Sequence, residues 1–391
     1  MSKSKLMIAL AITMVAEGMI TVNLIWSGAQ AGQSPLVLGF VLFVMNIVPF
    51  VAQKCVPPLA SQISARPLRT LIRVRVLGVP VALAGYFVIP ENAGGSLILI
   101  AAGLAFVTFI SQQALETYMG QLTVAGRLDA GSAARLSQAA LQGGVFAGNA
   151  AAGVVIATLG TPYVYVLIGL LFLTSIGLTG FRDTDDVQPR STEQAPSSPL
   201  GGSGRAGWML VACMSLLAIQ MMGFNYFVPV IFESRPALTA AHYGFVSAAA
   251  GIGALLATTI AMQNSALVIA MAMVVVVSNA ILGHSTHIAL WLTSGFMIGF
   301  GFNLARVRVR QLLFETLRDR SDAAVWGGRI TIGFRSTAAL APLGFGALMA
   351  AGPSPSPAFY FAVVGAIVMG FLVPILLFNV ERITAVRMLR S

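Results

Sequence analysis

Glu17 sits in the middle of LMIALAITMVAEGMITVNLIW, a run otherwise apolar enough to cross a bilayer. A charged side chain at mid-span costs roughly 2.5–3.5 kcal/mol on insertion scales. A carboxyl group kept there can take up and release a proton as its access to water alternates, which is the chemistry a proton-coupled carrier needs. Arg335, in GGRITIGFRSTAALAP, lies deep in a second apolar run. Arginine stays charged, so it could pair with Glu17, bind an anionic group on a substrate, or act by its charge on a nearby carboxyl group. Glu116, at the end of FISQQALE, is a second proton-coupling candidate; it could instead pair with Arg127 or Arg135.

The uncharged polar residues have spacings of their own. Thr13, Glu17 and Thr21 recur at four-residue intervals, as do Thr108, Gln112 and Glu116, with Gln113 alongside. Arg135, Gln138, Gln142 and Asn149 share one helical face. The hydroxyls can bond their own helix; the amides fit a wet cavity. Asn23, Asn46, Gln220, Asn225 and Asn303 interrupt other apolar runs, and Trp26, Phe224, Tyr226 and Phe227 could wall a substrate site or simply pack. With Arg335, the substrate-binding candidates are Asn23, Asn46, Gln112, Gln113, Gln142, Asn149, Gln220, Asn225, Tyr226 and Asn303. No HExxH, GxSxG or P-loop occurs, and two cysteines and three histidines make no metal cluster. The chain is therefore read as a non-enzyme without cofactor or metal.

The elements that carry these residues follow from composition. Only 9% of the 391 residues are charged and 57% are hydrophobic, with a mean hydropathy of +0.86. Soluble domains carry about 25% charged residues, so the chain belongs in a bilayer. Twelve spans are predicted near 6–28, 36–54, 71–90, 97–118, 137–159, 162–181, 207–230, 242–262, 265–283, 288–306, 328–351 and 358–379. Breakers such as PENAGGS, GTPY and GPSPSP fall between them. MSKSK before the first run imitates a secretory signal, but the run is long and holds Glu17, so it is read as a retained helix.

All but two of the 23 basic residues fall on one side of this layout. Arg235 falls on the other side and Arg335 within a helix. The bias predicts an inner-membrane protein with both termini in the cytoplasm, and it explains the net charge of +10 without nucleic acid. The stretch 182–206 is rich in Pro, Ser and Gly and reads as a flexible cytoplasmic linker. It separates an N-terminal unit, 1–181, from a C-terminal unit, 207–391. RLDAGSAARLS and RSDAAVWGGRIT occupy equivalent loops of the two halves, which favours duplication.

This organisation resembles the major facilitator superfamily over essentially the whole chain. The family's loop motif G-x-L-A-D-R-x-G-R-[RK] survives in PPLASQISARP as Leu59, Ala60 and Arg66, with Ser61 in place of the aspartate. The antiporter motif survives in GVFAGNAAAG as Gly144, Gly148, Ala152 and Gly153, with Asn149 in place of proline; APLGFG echoes it in the eleventh span. The resemblance implies an all-α integral membrane fold of two pseudo-symmetric six-helix bundles. It implies that helices 3, 6, 9 and 12 lie outside, and none of these is expected to carry charge in its core. It also implies Glu17 as the proton-coupling acid of a drug/proton antiporter. Arg66, Arg127, Arg135 and Arg329 are gating candidates. The expected activity is alternating-access, proton-coupled export of a small amphipathic organic molecule such as a drug, siderophore or other metabolite. Uptake of an anionic metabolite is the alternative, and lipid export a third. The expected partners are a small-molecule substrate, protons and membrane lipids, with the chain a monomer.

Overall fold

A computed structural model describes residues 3–55, 62–63, 65–88, 93–124, 130–179, 204–235, 238–260, 265–316, 320–351 and 356–388. Among them are twelve α-helices and no strand: α1 (Lys3–Gln30), α2 (Pro35–Cys55), α3 (Pro67–Val88), α4 (Ala93–Val124), α5 (Ala130–Thr158), α6 (Thr161–Thr179), α7 (Gly204–Glu233), α8 (Ala240–Ala257), α9 (Ser265–His284), α10 (Ile288–Thr316), α11 (Arg320–Ala350) and α12 (Pro357–Met388). Each coincides with one expected span. Ten of them are, over their described residues, long and apolar enough to cross a membrane. The chain is a multi-pass membrane protein. Most of the expected linker, 182–206, lies outside the described residues.

The buried apolar residues fall into three groups. One holds Leu6, Leu10, Leu71, Leu115 and Leu122, all from α1, α3 and α4. A second holds Leu210, Leu217, Leu304, Leu312, Ile330 and Leu376, all from α7, α10, α11 and α12. The third is shared by both bundles, running from Ile20, Ile25, Leu38 and Leu104 to Phe227, Tyr243, Phe345 and Phe361. At the end where α1 begins and α12 finishes, each bundle therefore keeps its own core. Toward the opposite end the two cores merge.

Small residues make that merger possible. A Cβ on Gly39 of α2 would run into the carbonyl of Pro342 in α11, and one on Gly346 of α11 would lie 2.9 Å from Cα of Leu36. On the other side of the molecule, a Cβ on Gly153 of α5 would meet the Ala240 carbonyl of α8, and one on Gly244 would lie 2.8 Å from the Asn149 carbonyl. The α2–α11 and α5–α8 seams are equivalent under the pseudo-symmetry. In membranes such close approach is a main source of helix association, because lipid supplies no hydrophobic force between helices.

One polar detail corrects the sequence reading. Helix α3 does carry charge in its core: Arg75, counted with the basic flank, is fully buried. Its guanidinium donates to the hydroxyls of Thr13 in α1 and Ser175 in α6, and to the Ala9 carbonyl at 3.3 Å. Pro67 opens α3 four residues earlier than expected. Arg75 thus lies in the third turn, where α1 and α6 offer it acceptors. Arg235, the exception to the charge bias, donates to the carbonyls of Gly283 and of Ser285 (2.7 Å), just at the end of α9.

Asn279, an amide in α9, pairs with Gln220 of α7. Each side-chain amide donates to the other, at 3.1 and 3.2 Å, in a fully buried setting. Replacing Asn279 by leucine is expected to lower stability by about 0.6–1.7 kcal/mol, the range for polar pairs between membrane helices. The double replacement with Gln220→Leu should cost less than the sum of the singles. A double-mutant cycle on unfolding in detergent measures this; strictly additive losses would mean that the pair does not couple.

Candidate functional site

The middle of α1 is held against α5. A Cβ on Gly148 would strike the Val15 carbonyl, and one on Gly144 would strike Met14. Gly18 in turn touches the Val145 carbonyl and Asn149. This seam fixes the backbone on either side of Glu17 and leaves its side chain half-buried. The hydroxyls around it donate within their own helix, Thr13 to the Ala9 carbonyl at 2.9 Å and Thr21 to the Glu17 carbonyl at 3.0 Å, and Thr13 also accepts from Arg75.

Three helices deliver charge to the same place. On α4, Phe109, Gln112 and Glu116 stand on one face at three- and four-residue spacing. Gln112 Nε2 donates to Glu116 Oε1 at 2.9 Å. Arg335 reaches across from α11, and its guanidinium carbon lies 4.8 Å from the centre of the Phe109 ring. Glu17, Glu116 and Arg335 act on one another electrostatically. Glu17 and Arg335 are half-buried and Glu116 is exposed, so the space they share is open to solvent. It lies between the bundles, on the side where their cores separate. Such an arrangement brings two carboxyl groups and one guanidinium to a single solvent-accessible space.

The other candidates divide into two groups. Gln113, Gln142 and Asn225 are half-buried on α4, α5 and α7. Asn46, also half-buried, donates to the Leu42 carbonyl at 2.8 Å and approaches Met222 Sδ of the other bundle at 3.9 Å. The remaining residues are built into helix packing rather than open space. Asn149 is buried and joins three helices: it donates to the Gly18 carbonyl (2.9 Å) and the Val145 carbonyl (3.1 Å), and accepts from the Ser247 hydroxyl of α8. Asn303 donates to the Ala254 carbonyl at 2.6 Å, and Gln220 is occupied by Asn279. Tyr226 donates across the bundles to the Pro35 carbonyl at 2.8 Å, with Phe227 and Phe345 against its ring. Asn23 is buried between α1 and α6, where it faces Tyr165 with Ser27.

Of the gating candidates, Arg66 is exposed at the start of α3. Arg329 lies between two indoles, 5.3 Å from the Trp208 ring centre and 4.6 Å from that of Trp326. Arg127 lies outside the described residues, as does Ser61 of the loop motif, and Arg135 is described only by its place in α5. Phe109 was missed because a lone phenylalanine in an apolar run carries no signal. Its three-residue offset from Gln112 places it on the polar stripe.

No protein-family model matches the chain, and no curated protein matches its sequence. Solved structures do match its shape. A mutant of the nucleoside transporter NupG superposes with a TM-score of 0.72, over 97% of this chain and 99% of that one, at 14% identity. An inward-facing bacterial homologue of the iron transporter ferroportin gives 0.65, over 97% and 100%, at 13% identity. An inward-facing, unoccupied bacterial homologue of the lysosomal transporter Spinster gives 0.59, over 98% and 96%, at 12% identity. The fold is that of the major facilitator transporters. In that fold, Glu17, Glu116 and Arg335 occupy the space between the two six-helix bundles. The α2–α11 and α5–α8 seams then close the bundles at the end away from the chain termini.

Proposed function

We propose that the chain is an alternating-access carrier that exports a small amphipathic organic molecule in exchange for protons. The observation that carries this reading is the meeting of Glu17, Glu116 and Arg335, from both bundles, around one solvent-accessible space. Intramembrane ionisable groups are costly and mark transport paths or proton relays. Glu17 is assigned the coupled proton, Glu116 a second acid beside it, and Arg335 the substrate's polar group. Gln112, Gln113, Gln142, Asn46 and Asn225 would line the route.

The distribution of basic residues supports cytoplasmic termini in an inner membrane. The separated ends of the bundles would then face the cytoplasm and the closed seams the outside. In this state an exporter loads its cargo. Arg335 also favours a second reading, uptake of an anionic metabolite.

Everted vesicles with an acid interior and a pH-sensitive dye test the proposal. Addition of an exported compound from a panel of drugs, siderophores and other metabolites should collapse the gradient in wild type and leave it intact in Glu17→Gln. A gradient that collapses equally in both would remove Glu17 from coupling. Collapse by anionic compounds alone, with loss in Arg335→Gln, would favour the second reading.

A further inference from the structure

Glu17, Glu116 and Arg335 sit within electrostatic reach of one another, yet among the described residues none of them closes an ion pair with another. Glu116 is engaged by an amide, and Arg335 is laid over a phenylalanine ring. Two carboxyl groups and one guanidinium thus surround a shared accessible space without neutralising each other. A structural ion pair would be in contact; these three groups instead stand apart around a space that solvent reaches. The geometry points to a ligand that completes all three.

The charges select its class. A simple anion on Arg335 would face two carboxyl groups. A simple cation between the carboxyl groups would leave the guanidinium unmatched. A zwitterion answers both, with an ammonium group against Glu17 and Glu116 and a carboxylate on the forked donors of Arg335. The Phe109 ring beneath the Arg335 guanidinium is the apolar group beside these charges for the rest of the molecule. We propose that the cavity takes an amphipathic amino-carboxylate. The proposal rests on the transporter reading and narrows its substrate.

The test compares one apolar body in three charge states, namely phenylalanine, its methyl ester and N-acetylphenylalanine. Binding to the purified full-length protein in detergent is read by thermal stabilisation. Phenylalanine should bind at least about tenfold more tightly than either singly charged analogue. Arg335→Gln should erase the preference over the ester while keeping ester binding, and Glu116→Gln should erase the preference over the N-acetyl compound. These reciprocal changes separate a binding role from misfolding, which would abolish all three. Equal binding of a singly charged analogue, preferences that survive the substitutions, or no binding of any probe would overturn the proposal. Gradient collapse in vesicles together with such a failure would leave the carrier standing and only its substrate class wrong.

Discussion

Gly244→Leu is expected to open the α5–α8 seam, and Gly253→Leu, on the same helix, to weaken the fold instead. A Cβ at Gly244 lies 2.8 Å from the Asn149 carbonyl and 3.1 Å from Cα of Ala150, both on α5 of the other bundle. A Cβ at Gly253 meets the Phe296 carbonyl and lies 2.9 Å from the Phe300 amide nitrogen, both on α10 of its own bundle. Overpacking costs about 1–3 kcal/mol where nothing can move. At Gly253 nothing can, because α8 and α10 belong to one bundle, so Gly253→Leu should lower the unfolding temperature. At Gly244 the clash is relieved by separating the bundles, which is the motion alternating access requires. The cost then falls on the seam-closed state alone and should shift the population by roughly 5- to 150-fold.

A cysteine reporter measures that shift. Ser247 is fully buried beside Asn149, and serine to cysteine is a small change. With Cys55 and Cys213 replaced, Ser247→Cys should resist an impermeant maleimide added from the seam side and should label faster once Gly244→Leu is introduced. Unchanged labelling with a lowered unfolding temperature would mean that the seam is a fixed contact rather than a gate.

How much of this was legible in the sequence depends on the kind of force involved. Apolar length and basic flanks located all twelve helices, because the bilayer imposes one rule on each of them. Pro67 would have moved the start of α3 and exposed Arg75 as a buried residue, but a guanidinium's acceptors lie on other helices, and no local pattern shows them. The same limit governs the amides. Asn149, Gln220 and Asn303 look like cavity residues by spacing alone, yet Ser247, Asn279 and the Ala254 carbonyl claim them across helix contacts. Glu17, Glu116 and Arg335 were visible because a charge in an apolar run is rare. A meeting of Glu17 with Arg335 was one of the options read from the sequence, but the joining of Glu116 and Phe109 from α4 was not, since it depends on how the two bundles face each other.

The second large effect concerns Glu17 itself. Its backbone is gripped by Gly144 and Gly148 of α5, and Asn149 ties the next carbonyl, that of Gly18, to Ser247 of α8. A change at Glu17 is therefore one peptide away from a bond that crosses the α5–α8 seam. Glu17→Gln keeps size and hydrogen bonding but holds no exchangeable proton. It should weaken compound exchange across the membrane only in part, since Glu116 still faces the substrate, while abolishing the exchange that a proton gradient drives. Loss of both would assign Glu17 to substrate binding alone.

The most direct measurement needs no substrate. In pH-difference infrared spectra of the protein reconstituted in lipid, a protonated carboxyl group gives a carbonyl stretching band of its own. If Glu17 carries the coupled proton, wild type should show such a band, Glu17→Gln should lose it, and Glu233→Gln, at the far end of α7, should keep it. A band that survives in Glu17→Gln would contradict the assignment and move the proton to Glu116.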